Sequence, residues 1–268
     1  MDRPHPGADR PLRGTARPIR ARWLGRLGYG RAWELQHRLV AARAEGRIGD
    51  QLLLLEHDAV LTLGRHADPG HVLAPPELLA RRGVEVVRVE RGGEVTYHGP
   101  GQLVAYPIVG IEERGILIRP FVRILEAALV ATCRAFGVPA ERREGHPGCW
   151  IDPDGPLPRK IGALGIRVER GVAYHGIALN VTVDLADFGL IDPCGMPGLT
   201  SASLAGEAGW PPGPPTTESV ARAAAVFAPF LATGLGAALD GPLPPQADPA
   251  AELAELEAWP AHAAASGG

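Results

Sequence analysis

Arg159-Lys160-Ile161-Gly162-Ala163-Leu164-Gly165, then two apolar runs, then Asp192-Pro193-Cys194-Gly195-Met196-Pro197-Gly198: the rest of the chain is read outward from this stretch. The runs 164–169 and 172–183 have strand character. In the second, Ile177, Leu179, Val181 and Val183 alternate with Ala178, Asn180 and Thr182, the period of a half-buried strand. A hairpin of the two brings residue 160 beside residue 194. Position 160 holds the one lysine of the chain, the other 26 of its 27 cationic side chains being arginine. Guanidinium stays protonated and forks bidentately, whereas an ammonium is a compact charge that responds to its surroundings. A single retained lysine points to chemistry at 160, against the plainer account of compositional drift. Cys194 lies between Asp-Pro and Gly-Met-Pro-Gly, a loop that continues neither a helix nor a central strand. A thiol beside a cation is a candidate nucleophile. The Pro/Gly setting argues against an inert buried cysteine.

Upstream, residues 91–102 place four glycines around Thr96, Tyr97 and His98, between strand-like runs at 84–90 and 103–109. Glycine lets backbone approach a ligand closely, so the segment reads equally as a binding loop and as a bulged hairpin. His98 and His175, each beside a glycine, are the better histidines for proton transfer; His5 and His262 fall in the tails. Short strands are expected at 22–25, 51–55 and 61–64. Helices are expected over 29–44, with Ala32, Leu35, Leu39 and Val40 at helical spacing, and from Pro120 to just before Gly137. Phe121, Leu125, Leu129 and Cys133 share one face of the latter, which makes Cys133 core. Cys149, beside Trp150, opens a strand and is also read as structural. A last helix over 217–228 is expected to end or kink at Pro229. Strands grouped between a few helices, without regular βαβ alternation, predict an α+β domain with a mixed or antiparallel sheet.

The 268 residues, 46% of them hydrophobic, suffice for one sizeable core. Residues 1–20 and 241–268 are expected to be loose tails, the second with a short helix near 250–258, around a body at 21–240. Neither a secretory signal nor a membrane span is evident. Three cysteines without paired spacing fit a reducing, cytoplasmic setting. No metal or nucleotide motif occurs, so neither a metal nor a cofactor is expected, and nucleic acid is not an expected partner. Residues 1–170 carry 26 basic and 20 acidic side chains, residues 171–268 one and ten. The basic part either attracts an acidic partner or is merely a solvated arginine surface.

Arg-Gly-Gly-Glu-Val-Thr-Tyr-His-Gly-Pro-Gly-Gln (91–102), Lys-Ile-Gly-Ala-Leu-Gly-Ile (160–166), Tyr-His-Gly-Ile-Ala-Leu-Asn-Val (174–181) and Pro-Cys-Gly-Met (193–196) occur in one order. Together they resemble the lipoyl(octanoyl) transferases of lipoate biosynthesis, over about residues 21–235. The resemblance implies the fold of biotin and lipoate protein ligases, which is class II synthetase-like, and a monomer. It implies that Cys194 carries an acyl thioester and that Lys160 lowers its pKa. The acyl pocket would be lined by Arg91, Gly92, Gly93, Glu94, Val95, Thr96, Tyr97, His98, Ala163, Leu164, Gly165, Gly176, Ile177 and Ala178. The implied donor is octanoyl-acyl carrier protein. The implied acceptor is a lysine of a lipoyl domain, on a 2-oxoacid dehydrogenase subunit or the glycine cleavage H protein. Gly162, where alanine is common, and Asp58, where proline is common, depart from the pattern. Two other readings stay open: an ATP-using lipoate or biotin ligase, which needs no cysteine at 194, and a non-catalytic lipoyl-domain or acyl-binding module.

Overall fold

The computed structural model describes residues 17–259. β1 (Ile19–Leu27) leads into α1 (Tyr29–Ala44), whose Ala32, Leu35, Leu39 and Val40 make one buried face. β2 (Asp50–His57) carries four leucines at 52–55 with no exposed member, because both of its faces are covered. A small side sheet follows: β3 (Val60–Leu63), the short helix α2 (Pro76–Arg81), β4 (Glu85–Arg88) and β5 (Val95–His98), in the order β4-β3-β5. β6 (Gln102–Gly110) returns to the main sheet and leads into α3 (Ile118–Ala135). Pro120 sits in the first turn of α3, where an N–H would lack a partner, and Gly137 follows its end with φ 78°. β7 (Ala140–Arg143), β8 (His146–Ile151), β9 (Arg159–Glu169) and β10 (Val172–Asn180) then form an antiparallel meander. The two-residue β11 (Thr200–Ser201), α4 (Leu204–Glu207), α5 (Thr217–Gly234), β12 (Leu239–Asp240) and α6 (Pro249–Glu257) complete the chain.

The main sheet runs β12-β1-β2-β6-β10-β9-β8-β7, with β11 paired to β9. β1 is parallel to β2 and β12, and the other neighbours along that path are antiparallel, so this is the expected α+β fold with a mixed sheet. One face buries Phe121, Leu125 and Leu129 of α3 and Phe227 and Leu231 of α5 against Leu52, Leu54, Ile177 and Leu179. The other buries Leu35 and Leu39 of α1 against Leu53, Leu55, Tyr106 and Tyr174. β10 is therefore buried along its whole length, not half-buried as its alternation predicts, because α1 covers the face that Tyr174 and Ala178 present. No helix among the described residues is long and apolar enough to cross a membrane.

Two segments hold together more firmly than the sequence suggests. α5 does not end at Pro229 but continues to Gly234. A proline there forgoes one backbone hydrogen bond, while Phe227, Ala228, Leu231 and Ala232 stay buried against the sheet on both sides of it. The helix expected near 250–258 is α6, and it is tied to β1 rather than loose. Arg22, only 3% exposed, donates to Glu252 Oε2 at 2.7 Å and Glu255 Oε1 at 2.8 Å, and Leu256 is buried beside them. Residues 1–16 and 260–268, with His5 and His262, lie outside the described residues. Glu252→Ala takes one carboxylate from a buried arginine that keeps Glu255, so a loss of about 2 kcal/mol in unfolding free energy is expected. Urea denaturation measures it, and a change below about 0.5 kcal/mol would show that α6 is held by apolar contact alone.

Candidate active site

β9 starts at Arg159, earlier than its apolar run indicates, so Lys160 stands on the strand itself. β11 fixes that end of the strand: Ser201 pairs with Lys160, and the Ala202 N–H donates to Lys160 O at 2.9 Å. Among the described residues, three groups contact the ammonium. Nζ lies 3.3 Å from Cys194 Sγ, donates to Pro147 O at 3.1 Å and sits 5.0 Å from the centroid of the Trp150 ring. The hairpin thus brings together the two residues that the sequence singles out.

Cys194 occupies a one-turn 3₁₀ segment, Pro193–Gly195, with φ 59° and ψ 24°. This left-handed conformation costs a non-glycine residue about 1–3 kcal/mol, and such residues gather at functional sites. The turn is held by the Gly195 N–H to Asp192 O at 3.1 Å, the Met196 N–H to Pro193 O at 3.1 Å and the Asp192 N–H to His71 O at 2.8 Å. The Gly195 N–H is therefore engaged within the turn itself. The donor placed at the sulphur is Lys160 Nζ. Cys133 and Cys149, by contrast, have no solvent exposure, and their sulphurs are 3.8 Å apart. The Cys133 thiol, together with burial, pushes the Cys149 pKa far up, so that sulphur stays protonated and inert.

Cys194 and Lys160 open onto a cavity of about 530 Å³. Of the pocket residues implied by resemblance, Arg91, Gly92, Gly93, Glu94, Val95, Thr96, His98, Ala163, Leu164, Gly165, Gly176, Ile177 and Ala178 all line it. Tyr97 does not. Its ring is buried in the side sheet against Phe188, and its hydroxyl donates to Asp187 Oδ2 at 2.7 Å. Successive strand residues face opposite ways, so Thr96 and His98 turn toward the cavity and Tyr97 away. Tyr29, Val104, Tyr106 and Met196 also line the cavity. Tyr106 gave no signal, being one apolar-looking residue within a buried strand. The hairpin glycines allow close layering: a Cβ on Gly176 would lie 2.0 Å from Ala105 O, and one on Gly165 would lie 2.7 Å from Gly92 O.

The polar residues around the cavity are fixed by one another. Arg91, 8% exposed, donates to Thr62 O at 2.6 Å, Thr62 Oγ1 at 2.9 Å and Gly92 O at 3.0 Å, which pins the glycine loop to β3. Glu90 Oε1 accepts from Trp33 Nε1 at 3.1 Å and lies 3.0 Å from His37 Nε2 and 3.3 Å from His175 Nε2. Burial disfavours the Glu90 charge, but the hydrogen bonds from His175 and Trp33 outweigh it and hold the carboxyl well below the usual range. Burial, with His57 nearby, pulls His98 down to about 3, and burial also lowers His175, so both rings are neutral at pH 7. His98 Nδ1 donates to Gln102 Oε1 at 2.7 Å, Gln102 Nε2 to Asn180 Oδ1 at 2.9 Å and Asn180 Nδ2 to Ala202 O at 2.9 Å. That chain ends on the residue whose N–H holds the Lys160 carbonyl. Neither histidine bonds Cys194 or Lys160 directly. Among the described residues no cluster of three or more His, Cys, Asp or Glu side chains could hold a metal ion.

The family described as lipoyl protein ligase A/B catalytic domain matches residues 28–224. An octanoyltransferase of Acidobacterium capsulatum is 54% identical over 181 residues, 65% of this chain and 74% of that protein. One from Chloroflexus aurantiacus is 46% identical over 197 residues, 73% of this chain and 87% of its own length. Among solved structures, the bipartite lipoate protein ligase of Thermoplasma acidophilum matches with a TM-score of 0.60 at 15% identity, over 90% of this chain and 92% of that one, which shows a common fold. With the match running from the β1–α1 junction into α5, the chain belongs to the lipoyl protein ligase A/B catalytic domain family.

Proposed function

We propose that the chain is an octanoyltransferase that works through a Cys194 thioester. The observation that carries this is the Lys160 ammonium 3.3 Å from Cys194 Sγ, at a cavity suited to a short saturated chain. Its volume lies within the roughly 300–1,000 Å³ usual for small-molecule sites. Each buried methylene contributes about 0.8 kcal/mol, so the seven carbons beyond an octanoyl carbonyl contribute about 5–6 kcal/mol of binding. The octanoyltransferase relatives supply the acyl group, and the two residues supply the chemistry.

In the first step the Cys194 thiolate attacks the thioester carbonyl of octanoyl-acyl carrier protein. A carbon–sulphur bond to Cys194 forms, the one to the carrier breaks, and the carrier leaves as a thiolate that takes a proton from solvent. In the second, the amine of a lipoyl-domain lysine attacks the acyl-cysteine, an amide forms, and the Cys194 thiolate departs. The amine proton passes to a base, for which Lys160 in its neutral form is the placed candidate. Thioester exchange is near balance and aminolysis of a thioester is downhill, so no nucleotide is required. Division into two steps lets two protein substrates use one small site in turn.

Octanoyl transfer from carrier protein to a lipoyl domain is therefore expected to proceed at full rate without ATP or magnesium. Dependence on ATP would identify an acid-activating ligase instead. Binding of octanoyl thioester without turnover would identify a non-catalytic acyl-binding module.

A further inference from the structure

The peptide group that holds Lys160 is itself held by a carboxylate. Lys160 Nζ donates to Pro147 O at 3.1 Å, and the N–H of that same peptide unit, belonging to Gly148, donates to Glu126 Oε1 at 3.0 Å. The 147–148 bond is trans, the one cis peptide among the described residues being Pro244–Pro245. A trans peptide directs its C=O and N–H oppositely within a rigid plane. Glu126 and Lys160 thus grip opposite edges of one plate. Gly148 makes the approach feasible: with φ 141°, a Cβ there would lie 2.7 Å from Lys160 Cε and 2.7 Å from Gly162 O.

Glu126 needs an explanation in any case. It sits on the buried side of α3, 7% exposed, where carboxylates are rare. Among the described residues it forms no ion pair, and the Gly148 N–H is its one hydrogen-bond partner. The plain account is that it satisfies an N–H freed where the β8–β9 register shifts, between Cys149 and Trp150. That account makes Glu126 a stabiliser and leaves Lys160 unaffected.

We propose instead that Glu126 is a positioning residue for the transfer reaction: it orients and polarises the 147–148 peptide so that its carbonyl keeps the Lys160 ammonium against the Cys194 sulphur. This rests on the reading that Cys194 and Lys160 are the catalytic pair. A hydrogen bond accepted from the N–H makes the carbonyl of the same unit a better acceptor. A lysine stem has four rotatable bonds, and the fixed carbonyl selects among their rotamers. Glu126 does not line the cavity. Its loss should slow acylation of Cys194 and leave the affinity for the acyl donor alone, a split that a general loss of stability would not produce.

The single lysine supplies a direct readout, because ¹³Cε-lysine labelling gives one signal, that of Lys160. The experiment compares the intact chain with Glu126→Gln, which keeps an acceptor oxygen, and with Glu126→Leu and Glu126→Met, two apolar variants of similar length. Each is assayed for the Lys160 signal, for single-turnover Cys194 acylation by octanoyl-acyl carrier protein and for donor KM. The apolar variants should move the Lys160 signal toward that of free lysine and slow acylation by about 30-fold, within the 10–100-fold typical of lost outer-shell partners. Their KM should stay within about twofold, and Glu126→Gln should acylate within about threefold of the parent. Parental acylation and an unmoved Lys160 signal in either apolar variant that folds would overturn the positioning role while leaving the catalytic pair standing. Equal slowing in Glu126→Gln and Glu126→Leu would also overturn it, since orientation by an acceptor oxygen would then not be what matters. Undiminished turnover in Cys194→Ala would remove the pair itself, and this proposal with it.

Discussion

Mixed with octanoyl-acyl carrier protein in the absence of an acceptor, the chain is expected to take up one acyl group, as a thioester on Cys194. The three thiols differ physically. Cys194 is partly exposed, lies on a strained turn and has an ammonium 3.3 Å from its sulphur. Cys133 and Cys149 are sealed between α3 and the sheet, each the other's near neighbour. Intact mass followed by peptide mapping reads the result, and an acyl group on either buried cysteine, or on none, would sink the assignment. Cys194→Ala should lower turnover by at least about 10³-fold, the scale of losing a covalent nucleophile. Cys133→Ala should keep the reaction and cost about 1–2 kcal/mol of stability, the price of a small cavity in a packed core. The contrast matters because a variant that merely unfolds also loses activity. Cys194→Ala should unfold at or above the parental midpoint, since alanine removes neither packing nor a cap.

What the sequence showed and what it hid divide along sequence distance. α1 and α3 were legible because their apolar spacing and the flanking Pro120 and Gly137 are local signals. The Cys194–Lys160 meeting was legible because one hairpin separates the two, so closing it needs only adjacent strands to pair. Trp150 and Pro147, which lie against the same ammonium, and Glu126, which holds the 147–148 peptide, were not. They come from β8 and α3, and nothing local shows that β8 pairs with β9 at that register. Tyr97 differs for another reason: the resemblance assigns its whole motif to the pocket, although strand alternation alone turns Tyr97 away from Thr96 and His98. β10 looked half-buried because alternation reports polarity, and Ala178 and Asn180 are covered by partners from elsewhere in the chain. The attachment of α6 has no local signal, because Arg22 and Glu252 are 230 residues apart.

Lys160→Arg is expected to cost about 10²-fold or more in turnover although it preserves the charge, because a misplaced group of this kind loses on that scale. If the only task at 160 were to set a positive charge beside sulphur, arginine would serve, being cationic at every working pH. The site does not admit that substitution freely. Lys160 Nζ is fitted between Cys194 Sγ and Pro147 O beside the Trp150 ring, and its stem is close enough to Gly148 that a Cβ there would lie 2.7 Å from Cε. A planar fork occupies more room than an ammonium and would displace the sulphur or the 147–148 peptide. There is also a chemical difference, which the two half-reactions separate. On the proposed mechanism, acylation of Cys194 needs a cation at the thiolate, and arginine, even misplaced, supplies one. Transfer to the acceptor requires the attacking amine to lose a proton, which a neutral lysine accepts and a guanidinium does not. In Lys160→Arg, transfer from preformed acyl-Cys194 should therefore be slowed more than acylation is. In Lys160→Ala, with neither cation nor base, both should fall together. Single-turnover rates for the two steps, measured in the parent and both variants, decide the matter. Equal slowing of the two steps in Lys160→Arg would leave Lys160 an electrostatic role only, and near-parental turnover would show that its size and its proton are both dispensable.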